Sequence, residues 1–176
     1  MSLVTAKEVA KAIQLDRYGP LGTAVSWALM RLTRMSSINR VYETYKDLPG
    51  PEFLDAILSH YEIDFEIPEE DYKRLPKEGA YITISNHPLG GIDGILLLKL
   101  LLARRPDYKI IANFLLQRIG PLSPYILLVN PFENHRDVKS SVLGFKRAME
   151  HLGAGHPLGI FPAGEVSTYK DGKLIV

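Results

Sequence analysis

From Tyr81 onward, short apolar runs alternate with helix-like segments, and this alternation restricts the fold more than any other feature of the chain. The runs are YITIS (81–85), YKIIANF (108–114), YILLVN (125–130) and PLGIFP (157–162). Between them lie GILLLKLLLARR (94–105) and a helical pattern from Val138 to Leu152. Strands that are apolar on both sides need cover on both faces, and strands separated by helices favour a sheet with parallel neighbours. The sequence therefore predicts an α/β fold, a mixed and partly parallel sheet flanked by helices, with an N-terminal helical segment ahead of it. KDGKLIV at 170–176 reads as a turn and a strand after the last apolar run.

The upstream half reads differently. Residues 3–14 predict a short amphipathic helix, GPLG at 19–22 punctuates it, and Thr23 to about Tyr45 predicts a second helical segment. In that segment Trp27, Leu29, Met30, Leu32 and Met35 stand beside Arg31, Arg34 and Arg40. Such a helix either packs on a protein core or lies in a lipid headgroup interface. LPGPE at 48–52 marks a turn and a helix start, with a helix over Glu52–Ser59. In YEIDFEI (61–67), Tyr61, Ile63, Phe65 and Ile67 alternate with Glu62, Asp64 and Glu66, a period-two pattern that predicts a strand with one wet face. Glu69, Glu70 and Asp71 suit the start of a following helix. The expected organisation is N-terminal amphipathic helices over 1–50 and a catalytic domain over 51–176.

The 176 residues are 46% hydrophobic and 23% charged, enough for a substantial core. A net charge of +1 without a concentrated basic cluster gives no case for nucleic acid as a partner. The charge is uneven: residues 1–50 carry seven Lys/Arg against four Asp/Glu, and residues 51–80 carry three against nine. The first block is thus the one suited to an anionic surface. With no cysteine, the chain has no disulfide, thiolate nucleophile or sulfur-ligated zinc. The first residues mix Lys7, Glu8, Lys11 and Asp16 among apolar ones, unlike a secretory signal, so the mature chain is expected to start near residue 1. The longest apolar runs fall short of the roughly 20 residues that span a bilayer.

In sheets of this kind ligands collect where strands end and helices begin. Three turns qualify: NHPLGGID after YITIS, NPFENHRD after YILLV, and PAGEVS after PLGIF. They carry His87, Asn130 and Glu165 at equivalent places. A neutral imidazole takes a proton from an attacking hydroxyl or amine, and a carboxylate on its far nitrogen fixes the tautomer and stabilises the imidazolium. His87 and Asp93, separated by a glycine-containing turn, could form such a pair. Equally, Asp93 could cap the next helix while His87 hydrogen-bonds at a strand end. No GxSxG elbow, phosphate loop or dinucleotide fingerprint occurs. His60, His135, His151 and His156 lack metal-ligand spacing and read as surface residues, and no metal site is expected.

With NHPLGGIDG, YILLVNPFENH and GIFPAGEVS in this order, the chain resembles the lysophospholipid acyltransferase superfamily over roughly residues 60–176. That superfamily includes the bacterial 1-acylglycerol-3-phosphate acyltransferases. The resemblance implies that His87 is the base that deprotonates an acceptor and that Asp93 holds it. It implies direct attack on the thioester of acyl carrier protein or coenzyme A, with no cofactor besides that donor. Asn130, Gly164, Glu165 and Ser167 would line the acceptor site, and Phe161 and Pro162 would frame it.

This sequence departs from the family pattern at several points. Five residues instead of four separate His87 from Asp93, an excess that Gly90 and Gly91 can absorb. Ala163, Glu165 and Val166 replace the family's glutamate, threonine and arginine, and Pro131 stands where another arginine is expected. Arginine clamps phosphate by paired hydrogen bonds, so its absence argues against lysophosphatidate. The pattern is similar to the hemolysin-like branch, which includes N-acyltransferases of ornithine and glycine lipid synthesis. The expectation is acyl transfer to an amine or amino-lipid. The alternatives are a lysophospholipid O-acyltransferase using Arg118, Arg136 or Lys139 for phosphate, a thioester hydrolase, and a non-catalytic membrane-surface domain. The lipid chemistry implied by the resemblance, with the Trp27 region, places the protein in the cytoplasm at the inner face of the cytoplasmic membrane. Ending soon after the third motif, the catalytic domain is expected to be truncated at its C-terminus.

Overall fold

Each apolar run from Tyr81 onward forms a strand in a computed structural model that describes residues 3–33, 35–129, 138–162, 168–170 and 173–175. The strands are β1 (Ile82–Ile84), β2 (Lys109–Asn113), β3 (Ile126–Val129) and β4 (Leu158–Ile160). They make one sheet in the order β1-β4-β2-β3, parallel throughout. A separate antiparallel hairpin joins β5 (Thr168–Lys170) to β6 (Lys173–Ile175). The sheet belongs to a unit spanning Pro49–Val176, and Met1–Leu48 forms another.

The topology decides where the helices go. α6 (Gly91–Arg104) connects β1 to β2 across one strand position, and α7 (Val138–Gly153) connects β3 back to β4 in the opposite sense. Right-handed crossovers in opposite senses put their helices on opposite faces. Accordingly Gly94 of α6 faces Ile110, while Ala148 and Leu152 of α7 pack with Ile111, Leu127 and Leu158. α7 comes so close to the sheet that a Cβ on Gly144 would overlap the Leu128 carbonyl oxygen. On the other face, α4 (Gly50–His60) brings Phe53, Leu54, Ile57 and Leu58 into the core, where Leu98, Leu101 and Leu102 of α6 are also buried.

Two clusters fix the sheet. Tyr108, fully buried just before β2, reaches across β4 so that its hydroxyl lies 2.6 Å from Thr83 Oγ1 on β1. Burial also pushes its phenol pKa up, which keeps the hydroxyl protonated and able to hydrogen-bond. Such a crossing requires a glycine at 159, where a Cβ would overlap Tyr108 Oη. At the N-terminal ends of the strands, buried Arg105 grips Asp107 with two hydrogen bonds of 2.8 Å and donates to the Gly79 and Gly155 carbonyls. His156 Nδ1 lies 2.6 Å from the same carboxylate, and its ring stacks near His151.

Three expectations need correction. YEIDFEI is not a strand: residues 61–68 are irregular, and Glu62 has φ 53°. Of the four alternating apolar residues, Ile63 and Ile67 are half-buried while Tyr61 and Phe65 are exposed, and the segment has no strand partner among the described residues. GPLG does not precede the second helix but begins it: α2 runs Gly19–Leu32 with proline at the permissive first turn, and α3 follows as Met35–Tyr45. Gly22 sits inside α2 because the Leu15 carbonyl oxygen occupies the space of a side chain. Finally, His151 and His156 are not bystanders on the surface. His151 lies 3.2 Å from the Pro157 carbonyl, and burial lowers its pKa. The first helix, α1 (Ala6–Ala12), is closed by a capping box between Thr5 and Glu8, and α5 (Glu69–Arg74) starts with the three carboxylates as expected.

Gly159→Ala should cost about 2–3 kcal/mol in urea unfolding, because the added methyl must displace a buried ring. The same change in a Tyr108→Ala background should cost clearly less, and equal costs in both backgrounds would refute the crossing argument. The Arg105 guanidinium, helped by His156 and opposed by burial, holds the Asp107 carboxyl well below the usual carboxylate range. A carboxylate with a depressed folded-state pKa stabilises above its unfolded value of about 3.9 and loses that contribution as pH falls through the folded value. Thermal midpoints should therefore fall from about pH 4 downward in wild type, and less steeply in Asp107→Asn.

Candidate active site

β1 and β4 are parallel neighbours in the register Ile84↔Ile160, and the Ser85 N–H continues the ladder to the Ile160 carbonyl at 3.2 Å. Both chains therefore leave the sheet at the same end. His87 lies three residues beyond Ile84 and Phe161 one beyond Ile160, so the topology brings them together. Their rings stack with centroids 4.6 Å apart and planes tilted by 32°.

The turn after β1 is built around Asp93. Gly90, with φ 67° and ψ −132°, takes a conformation open to glycine and reverses the chain into α6. Gly91 has no such requirement. Asp93, in the first turn of α6, then points back: its Oδ2 accepts the Leu89 N–H at 2.8 Å and lies 3.1 Å from His87 Nδ1. Asp93 is not the cap of α6, whose N-cap is Gly90; one of its oxygens instead holds the turn backbone and contacts the imidazole. Both side chains are largely buried, 21% and 14% exposed. With the imidazole donating from Nδ1, its Nε2 is left as the acceptor.

A cleft of about 260 Å³ opens beside this pair, lined by Asp93, Ser85, Asn86, Phe161, Phe65, Ile67, Leu96, Leu97 and Leu100. Asp93, Leu96, Leu97 and Leu100 fall at i, i+3, i+4 and i+7, one stripe of α6 running about 10 Å away from the carboxylate. Phe65 and Ile67 come from the irregular 61–68 segment. The leucine stripe is readable in the helical spacing after Asp93, and Phe65 and Ile67 in the alternation of YEIDFEI. Ser85 and Asn86 carry no signal beyond their place at a strand end.

Of the expected site residues, His87, Asp93 and Phe161 come together here, and Pro162 follows in the chain. Asn130, Gly164, Glu165 and Ser167 lie outside the described residues, as do His135 and Arg136. Arg118 is exposed in a 3-10 helix over Phe114–Arg118. Among the described residues no three His, Asp or Glu side chains are arranged to hold a metal ion.

A model of the Acyltransferase family matches residues 7–175. A protein of Bacteroides thetaiotaomicron named lyso-glycine lipid O-acyltransferase is 35% identical over 104 residues, covering 58% of this chain and 37% of that protein. A protein of the same name from Phocaeicola vulgatus is 25% identical over 174 residues, covering 98% of this chain and 60% of its own length. The chain thus spans no more than about three fifths of the curated relatives it matches. No solved structure gives a significant match. With the family match running over nearly its whole length, the chain belongs to the Acyltransferase family.

Proposed function

We propose that this chain carries the catalytic base of a lipid acyltransferase, moving a fatty acyl group from an acyl thioester to a lyso-amino-lipid acceptor. The observation that carries the reading is the contact of His87 Nδ1 with Asp93 beside a leucine-lined cleft. Nε2 of His87 takes the proton of the acceptor as its oxygen or nitrogen attacks the thioester carbonyl. Asp93 stabilises the imidazolium formed. The tetrahedral intermediate then expels the thiolate, which takes up the proton from His87, so the chain itself is never acylated. Acyl carrier protein and coenzyme A both supply such a thioester.

The apolar stripe Leu96–Leu97–Leu100 provides cover for the acyl chain, with Phe65 and Ile67 also lining the cleft. Burying methylenes there binds the donor at roughly 0.8 kcal/mol each. As to the acceptor, Glu165 in place of the family's threonine suggests an amine. The names of the two relatives weigh instead for a hydroxyl on a lyso-lipid bearing a glycine headgroup. A hydroxyl needs the base more than an amine does, since its proton must be removed as it attacks, and the buried His–Asp pair fits that need. Loss of the arginines at 131 and 166 supports a headgroup other than a phosphate monoester.

Thiol release from an acyl donor should depend on added acceptor, with lyso-glycine lipid preferred over free glycine, ornithine, glycerol 3-phosphate and lysophosphatidate. His87→Ala should lower the rate by about 10²–10⁴. Release without acceptor would point to a hydrolase, and use of phosphate-bearing acceptors alone would overturn the headgroup assignment. Leu100→Trp should shift donor preference toward shorter acyl chains, read as the ratio of kcat/KM for long and short donors. An unchanged ratio would remove the acyl chain from the α6 stripe.

A further inference from the structure

The two rings stacked where β1 and β4 leave the sheet have a common neighbour in sequence. Each is followed by proline, His87 by Pro88 and Phe161 by Pro162. A residue before proline is driven out of the helical region toward extended backbone, because the proline ring collides with its N–H and Cβ. Each turn therefore starts with the direction of its aromatic side chain already narrowed. For Phe161 the sheet narrows it further. The Ser85 N–H on the Ile160 carbonyl pins the chain one residue before it. Ile160 packs toward α7 with Leu127, Ala148 and Leu158, so an extended backbone turns Phe161 to the opposite face. That is the face of α6, where Phe161 lines the cleft with Asp93, Leu96, Leu97 and Leu100.

The phenyl ring supplies a constraint that the Asp93 carboxylate does not. A contact of 3.1 Å between Nδ1 and Asp93 Oδ2 fixes one nitrogen but lets the imidazole rock about it, carrying Nε2 along. A flat ring with its centre 4.6 Å away, tilted by 32°, blocks that rocking from one side. Asp93 thus fixes an edge of the imidazole and Phe161 its plane, and together they set where the Nε2 lone pair points. An aliphatic side chain could fill the same space, but the face of an aromatic ring also carries partial negative charge. A cation within about 6 Å of such a ring's centre is attracted to it. The attraction is small while the imidazole is neutral and grows as it takes a proton. It therefore favours the state after proton transfer over the state before, which is the kind of interaction that raises a rate.

We propose that Phe161 is a positioning residue for His87: its ring holds the plane of the imidazole and stabilises the imidazolium formed when the acceptor gives its proton to Nε2. The inference rests on His87 being the base. It gives the phenylalanine a role beyond framing its loop, and it couples the turn after β4 to a proton transfer on the turn after β1. Because Phe161 also lines the cleft, a contact with the acyl chain has to be told apart from an effect on His87. The two differ in kinetics. Lost contact with the bound donor raises KM, whereas lost stabilisation of the imidazolium lowers kcat and leaves KM unchanged.

The test replaces Phe161 by leucine, by tyrosine, and by mono-, di- and trifluorophenylalanine, and follows acceptor-dependent thiol release with the donor and acceptor that the wild type uses. Phe161→Leu should lower kcat by about three- to thirtyfold at unchanged KM, and Phe161→Tyr should keep the wild-type rate. Within the fluorinated series kcat should fall with each added fluorine, since fluorine drains charge from the ring face and largely keeps its shape. A ring that acts by shape alone gives a flat series. A flat series, or a leucine variant altered in KM only, overturns the proposal. The stack itself is read without turnover, by nuclear magnetic resonance: the His87 ring protons should lie upfield in wild type and move downfield in Phe161→Leu. Resonances that do not move remove the stack. Failure of the base reading shows separately, as a His87→Ala variant that transfers acyl groups as fast as wild type; failure of the present inference alone shows as a flat series in an enzyme that His87→Ala inactivates.

Discussion

The parallel pairing of β1 with β4 is the constraint on which the rest of the site depends. β1 has three residues, and its hydrogen-bonded neighbour in the sheet is β4. The neighbour comes from more than seventy residues later in the chain, so the site exists only after the two crossovers have formed. The Tyr108 hydroxyl on Thr83, passing over Gly159, locks this pairing from the side. A slip of one residue between β1 and β4 would send Thr83 to the other face, break that bond and move His87 away from Phe161. One buried phenol and one missing side chain therefore set the register that assembles residues from two distant turns.

Asp93 shows how a helix start can be used twice. Its carboxylate holds the Leu89 N–H in the turn and also the imidazole of His87. The backbone bond removes rotational freedom from the carboxylate, so the imidazole is oriented by a group already fixed. Gly90 makes the reversal possible, and the helix continuing from it carries the leucines that line the cleft. Polar chemistry at one end and apolar cover along the body are thus properties of one element, α6, whose other side is buried in the core through Leu98, Leu101 and Leu102.

The strands and crossover helices are legible in the sequence because each is a short, two-sided apolar run or a long helical pattern, signals that few alternatives share. The His–Asp contact is legible as a possibility, since a glycine-containing turn allows it, but the spacing alone leaves capping and catalysis equal. The irregular 61–68 segment passes for a strand because period-two alternation is a local pattern, whereas a strand needs a partner edge that no local pattern encodes. The start of α2 at Gly19 is hidden for a related reason: glycine and proline usually mark breaks, and only the close Leu15 carbonyl explains a glycine inside the helix. The Arg105–Asp107–His156 cluster joins residues 49 positions apart through Asp107 and His156, and no spacing rule points to it.

The two ends of the sheet carry titratable clusters of opposite character. At the N-terminal end Arg105 saturates Asp107 with two hydrogen bonds, binds two loop carbonyls and leaves the cluster committed to structure. At the C-terminal end the Asp93 carboxylate is shared between the His87 imidazole and a backbone N–H, with a cleft at its side. Asp107 is held by the guanidinium on both oxygens with His156 beside it, whereas the contacts of Asp93 run through the single oxygen Oδ2. The same residue types thus pin the fold at one end and border the cleft at the other. What separates them is the guanidinium: Asp107 meets both buried Arg105 and the His156 imidazole, whereas Asp93 meets an imidazole and a backbone N–H.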